Sequence, residues 1–343
     1  MRTLKIESHA LKPGSLIRSK LRPPPQASGL LRRERLINLI DADQARITVV
    51  QAPSGFGKST LLAQSFESFR SRGMIAAWLS LDEDDRDPSL FVAALIAAFG
   101  AAGVELGSLL TAAEAGLPAT RPRSALAALL NPLNSLDTPG ILFIDDLHRA
   151  QTSEIASLMQ TFQSNLDPKL RLVIAGRTRP DLDLAKLAAK GELRHIAAEN
   201  LRFTADEARH QFGEWDAEQL HNLMRRTDGW PVALQLARIY LVDQEGSHGL
   251  ERFTGRTPEL AGYLAEQVFA DLPQVLQNAL MAIAFLERIN GDLISALCRR
   301  TDGWRLLEEI ESRNLFISPL DEERKWFHFH KIFSEFLQEQ CRK

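Results

Sequence analysis

The sequence predicts an α/β fold, in which helices cover both faces of a parallel sheet, followed by a largely helical half. Apolar strand-like runs alternate with helical periods between residues 31 and 200. Nearly continuous apolar strands in such an alternation are typical of a parallel sheet that is buried on both faces. From residue 201 onward the strand signal almost disappears, and it returns in two short runs between residues 315 and 330. The chain is therefore expected to combine an α/β domain with smaller, mainly helical domains.

The composition sets the class of protein before any motif is considered. The chain has 343 residues, of which 45% are hydrophobic and 25% are charged, and its net charge is −3. These fractions are typical of a globular protein, and the length predicts roughly two to three domains. The small net charge argues against a chain that is one nucleic-acid-binding surface. Two cysteines far apart predict free thiols in a reducing compartment.

The sequence predicts neither a secretion signal nor a membrane span. The first residues lack the continuous apolar core of a signal peptide. One uncharged stretch, residues 90–104, is shorter than the ~20 residues that a membrane span needs, and we interpret it as a buried helix. We therefore expect a cytoplasmic protein with no membrane partner.

Four strands and five helices are predicted in the first half. After an irregular arm at residues 1–30, which contains three successive prolines, the strands are expected at 47–51, 75–81, 141–145 and 170–175. Helices are expected near 58–71, 89–102, 124–135, 153–165 and 182–190. The crossovers between parallel strands should be right-handed. Residues 31–200 are assigned to this α/β domain.

Residues 201–343 are predicted to form two small domains. Helices are expected near 205–213, 216–226 and 231–242, and again near 258–270, 273–287, 291–299 and 303–313, with a polar linker at 243–257 between the two groups. Two β-prone runs around the charged turn 321–324 predict a hairpin. Helices followed by a hairpin and a last helix are the order of a winged helix. We therefore assign 201–255 to a small helical domain and 256–343 to a winged-helix-like domain.

A glycine-rich loop lies between the first predicted strand and the next helix. It reads APSGFGKST, which is a P-loop pattern with alanine at the first glycine position. Backbone N–H groups of such a loop point at phosphate oxygens, and the helix N-terminus adds to the attraction. The alternative is a glycine turn with a surface lysine. The candidate nucleotide-binding residues are Ala52, Gly55, Phe56, Gly57, Lys58, Ser59 and Thr60.

A P-loop needs Mg²⁺ and an acidic partner on a neighbouring strand. Lys58 is expected to reach the β- and γ-phosphates of ATP, and the Ser59 hydroxyl is expected to bind Mg²⁺. Asp145 and Asp146 end the apolar run 141–145 at the sheet edge where ligands bind in open α/β folds. We assign Asp145 to the metal and Asp146 to the attacking water. The alternative is a solvated turn.

Three further features have competing interpretations. Arg177 follows the strand 170–175, where a guanidinium could contact the γ-phosphate, or it could form a surface ion pair. The acidic loop 82–87 could hold a metal, although a solvated loop that caps the next helix is the favoured interpretation. The spacing of His328 and His330 predicts half-buried structural histidines, because no partner at zinc-ligand spacing is nearby.

Together these stretches resemble the ATPase core of the large MalT-like activators, which are signalling NTPases of the STAND class. The resemblance covers nearly the entire chain. The segments that carry it are SKLRPP at 19–24, APSGFGKST at 52–60, AWLSLDE at 77–83, IDDLH at 144–148, LRFT at 201–204, RTDGW at 226–230 and NLF at 314–316 with its sequel to 333.

The resemblance implies three modules and adds site residues. Gly229-Trp230-Pro231 matches the Gly-x-Pro whose proline contacts the nucleotide base, and His330 matches the winged-helix histidine that contacts the β-phosphate of ADP. Arg33 matches the entry to the first helix near the adenine pocket. The chain departs from the family at Lys331, where relatives often carry a second histidine.

The resemblance also implies a function. We expect an ATP/ADP-dependent conformational switch of a transcriptional regulator, with slow ATP hydrolysis, which is closed with ADP and self-associates with ATP. The family continues into a sensor domain and a LuxR-type DNA-binding domain, so inducer and DNA are expected to bind through domains absent from these 343 residues. The alternatives are an AAA+-like motor, with Arg179 as a candidate arginine finger, and a metabolic phosphotransferase, whose acceptor pocket and lid the sequence does not display.

Overall fold

A computed structural model describes residues 17–26, 29–41, 45–115, 121–213, 215–242, 252–313 and 315–342. The strands of its first half are β1 (Ile47–Gln51), β2 (Ile75–Ser80), β3 (Gly140–Asp145), β4 (Leu170–Gly176) and β5 (Leu193–Ile196). They form one sheet in the order β2-β3-β4-β1-β5, and every neighbouring pair is parallel. The predicted fold class is confirmed for this half.

Helices cover both faces of the sheet. In chain order they are α1 (Glu34–Asp41), α2 (Lys58–Ser71), α3 (Pro88–Ala101), α4 (Ser108–Glu114), α5 (Pro122–Asn134), α6 (Leu147–Ala150), α7 (Ser153–Asn165), α8 (Leu184–Ala189) and α9 (Ala198–Leu201). Alternate strand residues face two separate apolar layers: Val50 and Phe143 face one, and Val49 and Leu142 face the other. The uncharged stretch 90–104 is confirmed as a buried helix, since Phe91 to Phe99 of α3 are all buried.

The register of the sheet decides where a ligand site can form. Gln51 of β1 pairs with Gly176 of β4, and Ser80 of β2 pairs with Asp145 of β3. The carboxyl ends of these strands therefore meet at one edge, and the loops that follow β1, β3 and β4 leave the sheet side by side. Ligands of open α/β sheets bind at this edge.

The unpredicted elements of the first half include strand β5, the short helix α4 and the four-residue helices α6 and α9. Strand β5 reads Leu-Arg-His-Ile and pairs with β1 at the edge of the sheet, where only Ile196 is buried among its four residues. An edge strand with half-exposed polar residues lacks the continuous apolar run that revealed the other strands. The helix α4 is short, and it buries Ala113 alone among its seven residues.

The second half has the predicted order of helices, hairpin and helix. It contains α10 (Ala205–Gln211), α11 (Ala217–Thr227), α12 (Pro231–Val242), α13 (Pro258–Leu264) with a π-helical turn (Ala265–Phe269), α14 (Gln274–Ala282), α15 (Gly291–Cys298), α16 (Gly303–Ser312), the antiparallel strands β6 (Ile317–Pro319) and β7 (Phe327–Phe329), and α17 (Lys331–Gln340). The hairpin also bridges backward, from Phe327 to Ile289.

The predicted linker at 243–257 is wrong for its last part. Residues 243–251 lie outside the described residues, but 252–257 are packed against α17. Phe253 is fully buried, and the Gly255 amide donates to a carboxylate oxygen of Glu335 at 2.9 Å. A Cβ on Gly255 would lie 2.0 Å from the carbonyl oxygen of Ile332. This glycine therefore permits close backbone packing rather than flexibility.

One apolar layer joins the two halves. The layer on the Val50 side of the sheet continues through Trp230 of the helical region to Phe316 and Phe333 of the C-terminal domain. Cys298 and Cys341 are free, as predicted. Among the helices of the described residues, none combines the length and the apolarity of a membrane-spanning segment.

Candidate functional site

The predicted P-loop connects β1 to α2 at the carboxyl edge of the sheet. Gly55 and Gly57 both have left-handed backbones, with φ of 78° and 77°, which glycine adopts without strain. Ala52 is fully buried, and its amide donates to the carbonyl oxygen of Gly176 at 3.3 Å. Ala52 does not have a positive φ, so alanine is tolerated where the pattern has its first glycine.

Lys58 starts α2 and folds back across the loop. Its Nζ donates to the carbonyl oxygens of Ala52 and Pro53, at 2.9 and 2.8 Å. Burial lowers the pKa of Lys58 to about 8, against the attraction of Asp146 and Asp145. Phosphate oxygens are stronger acceptors than neutral carbonyl oxygens, so the ammonium group is placed to exchange these bonds for a phosphate. Thr60 lies in the first turn of α2.

The structure brings the two candidate metal ligands together. Asp145 ends β3 with 5% of its surface exposed, and its carboxylate is hydrogen-bonded to Ser59. Burial and the charge of Asp146 raise the pKa of Asp145 to about 6. A buried carboxylate beside a hydroxyl is a hard oxygen donor set that a divalent cation would stabilise. The two residues therefore fit Mg²⁺.

Asp146 has a left-handed backbone, with φ of 57°, at the start of α6. Its amide donates to the carboxylate of Asp145 at 3.0 Å, and its own carboxylate is partly exposed. His148, to which no role was assigned from the sequence, places Nδ1 at 3.8 Å from a carboxylate oxygen of Asp146. Burial lowers the pKa of His148 to about 4. The neutral ring of His148 thus lies next to Asp146, the residue that was assigned from the sequence to the attacking water.

Arg177 follows β4 and faces a cavity that it shares with the C-terminal domain. Its Nη1 lies 3.6 Å from a carboxylate oxygen of Asp271, in the segment between the π-helical turn and α14. The cavity has a volume of about 640 Å³. It is lined by Pro53, Ser54, Glu83, Arg86, His148, Arg149, Arg177, Thr178, Glu266, Gln267, Val268, Asp271, Leu272, Arg313, Leu315 and Phe316.

Three consecutive P-loop residues contact the second half of the chain. The hydroxyl of Ser54 lies 2.9 Å from that of Tyr263, and the carbonyl oxygen of Gly55 accepts a bond from the Val232 amide at 3.1 Å. The Phe56 ring is buried and packs against Trp230 and Phe316. These partners lie 174 to 260 residues further along the chain, and their contact with the loop was not predicted from the sequence.

Pro231 and His330, which were predicted from the resemblance, lie near the same contacts. Pro231 opens α12 directly before Val232. The Nε2 of His330 lies 3.1 Å from the carbonyl oxygen of Thr227, while its buried Nδ1 has no hydrogen-bond partner among the described residues. The ring packs edge-on against Trp230. Burial lowers the pKa of His330 to about 4, so the ring is neutral and its Nδ1 is an acceptor unless it takes up a proton.

The guanidinium of Arg33 is engaged by other residues of the protein. Its guanidinium donates to the carbonyl oxygens of Leu201 and Arg202 at 2.6 and 2.8 Å, and it forms a two-point ion pair with Glu207. It also stacks on Phe203, with its central carbon 4.5 Å from the ring centre. These bonds join the residue before α1 to the end of α9 and to the first turn of α10. An adenine contact would have to compete with them, so that role stays a prediction.

The acidic loop 82–87 follows the favoured interpretation. Asp87 caps α3 by accepting from the amides of Ser89 and Leu90, and Lys20 pairs with both Asp82 and Asp85 at 2.8 Å. Within the described ranges, no group of three or more histidines, cysteines and carboxylates could hold a metal ion. The loop is therefore a capping and ion-pairing segment.

The fold and this strand–loop–helix geometry define a P-loop ATPase with a winged helix at its C-terminal side. Residues 31–175 match the AAA ATPase domain family, and residues 265–343 match the MalT winged helix domain family. These matches are consistent with a MalT-like ATPase core.

Individual relatives agree with this assignment. The chain is 31% identical over 326 residues to the serine/threonine-protein kinase PknK of Mycobacterium tuberculosis, covering 93% of this chain and 29% of that protein. It is 31% identical over 338 residues to the HTH-type transcriptional regulator MalT of Klebsiella pneumoniae, covering 95% and 37%. The chain thus spans well under half of the length of either relative.

A solved structure supports the fold alone. The Walker-type ATPase PABY2304 of Pyrococcus abyssi superposes with a TM-score of 0.62 at 15% identity, covering 92% of this chain and 98% of that one.

Proposed function

We propose that the chain is an ATP/ADP-dependent switch within a MalT-like transcriptional regulator, with slow ATP hydrolysis. The observation that carries the proposal is the direct contact of Ser54, Gly55 and Phe56 with the helical and winged-helix segments. The loop that would bind the phosphates also contacts the second half of the chain. A change in the loop on nucleotide binding would therefore change the contacts that position the downstream domains. A ligand shifts such an equilibrium only by its differential affinity for the two states.

The residues of the site have separate proposed roles. Lys58 and the loop amides bind the phosphates, and Ser59 with Asp145 holds Mg²⁺, which supplies charge neutralisation when bound. Asp146 accepts the proton of the attacking water. In the ADP-bound form, Pro231 contacts the base and His330 the β-phosphate. The unpartnered Nδ1 of His330 supports this role, because on taking up a proton it could donate a hydrogen bond to a phosphate oxygen, and the buried atom would then be paired.

The ATP-bound form is proposed to open and to self-associate. The terminal phosphate would bind on the Lys58 side, beside the cavity into which Arg177 points. In the regulator, inducer and DNA would be bound by domains outside this sequence, and the protein would act in the cytoplasm. The boundaries 31–200, 201–255 and 256–343 are proposed for the three modules.

The first experiment identifies the nucleotide that co-purifies with the protein, by acid release and chromatography. Stoichiometric ADP is expected, because a closed, slowly exchanging switch retains its nucleotide. Protein without nucleotide that turns over added ATP rapidly would overturn the switch and favour a motor or a phosphotransferase.

A further inference from the structure

The ion pair between Arg177 and Asp271 is a polar contact between the carboxyl edge of the sheet and the C-terminal domain. Arg177 comes from the end of β4, and Asp271 precedes α14. The two side chains are 30% and 69% exposed and their charged atoms are 3.6 Å apart. Both line the cavity that opens onto Pro53 and Ser54 of the P-loop.

The charges around this cavity are unevenly distributed. The α/β domain contributes the cations Arg86, Arg149 and Arg177, while the segment after α13 contributes the anions Glu266 and Asp271. The Nε of Arg86 donates a hydrogen bond to the carbonyl oxygen of Arg149. The C-terminal domain also contributes one cation to the lining, Arg313, which forms an ion pair with Glu309. Glu83 completes the charged lining. Asp271 places a carboxylate oxygen 3.6 Å from Nη1 of Arg177 across the domain boundary.

A terminal phosphate would arrive at the same place. Lys58 bonds to the carbonyl oxygen of Pro53, which lines the cavity, and a P-loop lysine reaches the β- and γ-phosphates. A third phosphate on this side of the loop would bring negative charge toward Arg177 and Asp271, which line the same cavity. Guanidinium groups bind phosphate at least as well as carboxylate, and like charges brought together are repelled.

We propose that Asp271 determines nucleotide specificity in the closed form, by holding the guanidinium of Arg177 that a γ-phosphate would otherwise bind. A nucleoside diphosphate leaves the ion pair intact, whereas a triphosphate competes for Arg177 and repels Asp271. Triphosphate binding is thus coupled to separation of the C-terminal domain, and by linkage closure weakens triphosphate binding. This inference rests on the proposed function as a nucleotide switch.

The test measures dissociation constants for ADP and for a non-hydrolysable ATP analogue, by calorimetry, on the whole chain. Asp271→Asn keeps the shape and removes the charge. It is expected to lower the preference for ADP over the analogue by about two- to five-fold, the size of effect that a partly exposed ion pair can have. Asp206→Asn is the matched control, because Asp206 pairs with Arg209 on the surface of α10, and it should leave the preference unchanged.

A double-mutant cycle tests whether Asp271 acts through Arg177. In an Arg177→Gln background, the substitution Asp271→Asn should no longer change the preference. An unchanged preference in the single Asp271→Asn variant, with normal ADP affinity, overturns the inference and leaves the switch standing. The inference is also overturned if Asp271→Asn changes the preference for ADP over the analogue by the same factor in the Arg177→Gln background. Failure of the unsubstituted chain to bind either nucleotide would overturn the proposed function as well.

Discussion

The amide of Val232, at the start of α12, donates a hydrogen bond to the carbonyl oxygen of Gly55 across 3.1 Å. A backbone bond thus joins the helical domain to the centre of the P-loop. Gly55 has φ of 78°, and a Cβ there would lie 2.5 Å from Cγ1 of Val232 and 2.9 Å from the Tyr263 hydroxyl. Glycine is therefore required both by the loop conformation and by the packing of the downstream segments.

Gly55→Ala should destabilise the nucleotide-free protein by about 3 kcal/mol, because backbone strain and overpacking add together. Gly73→Ala is the matched control, since Gly73 has the same φ of 78° but nothing within 4 Å of the added Cβ. That control should lose only about 1 kcal/mol. Urea unfolding measures both free energies. Equal losses would show that the contact with Val232 has no energetic weight.

Lys58→Ala should weaken ADP and ATP binding by at least about 100-fold, because the ammonium group is the charged phosphate ligand of a P-loop. The variant Lys186→Ala, at an exposed lysine of α8, should bind normally. Fluorescent-nucleotide titration distinguishes the two. Normal affinity in Lys58→Ala would remove the P-loop assignment.

His330→Ala should increase the rate of ADP release about ten-fold and promote ATP-driven association, since it would remove the proposed contact between the ring, protonated on binding, and the β-phosphate. His328→Ala serves as the control, because the His328 ring lies on strand β7, two residues away, and is hydrogen-bonded to the carbonyl oxygen of Phe329. Stopped-flow release and light scattering report the two effects. Unchanged ADP release would exclude the clamp.

His330 should also make stability depend on pH. Its pKa is about 4 in the folded protein against 6.5 for the free side chain, so below pH 6.5 the unfolded chain takes up a proton that the folded chain refuses. The contribution of His330 to the free energy of unfolding is therefore fully present above pH 6.5. It decreases as the pH falls toward 4, by at most about 3 kcal/mol. The difference in free energy of unfolding between the wild type and His330→Asn should shrink over this range. Parallel pH profiles would contradict the burial of a neutral ring.

Arg33→Lys should lower the free energy of unfolding by about 2–4 kcal/mol, because lysine cannot replace the two-point pair with Glu207 and the bonds to two carbonyl oxygens. Arg35→Lys, at a more exposed arginine that also contacts Glu207, should cost less than about 1 kcal/mol. Folded Arg33→Lys protein is expected to keep its ADP affinity within about two-fold. A large loss of ADP affinity in fully folded Arg33→Lys protein would instead support a contact between Arg33 and the adenine base.

Much of the α/β domain could be predicted because its strands are buried on both faces. Each of the four predicted strands lies within one residue of the observed bounds at either end, since a continuous apolar run is visible without knowledge of its neighbours. Strand β5 was missed because its pairing with β1 at the sheet edge, and not its own apolarity, makes it a strand. The linker was misassigned near Gly255 because close packing and flexibility both favour glycine.

The sequence by itself determined the local chemistry: a P-loop between a strand and a helix, and two aspartates at the end of an apolar strand. These follow from short-range patterns. Only the tertiary structure decided that Tyr263 and Val232 contact Ser54 and Gly55, and that Asp271 meets Arg177. Contacts between residues so far apart in the chain depend on how whole helices pack on the sheet, and that packing is a sum of many weak interactions that no single segment displays.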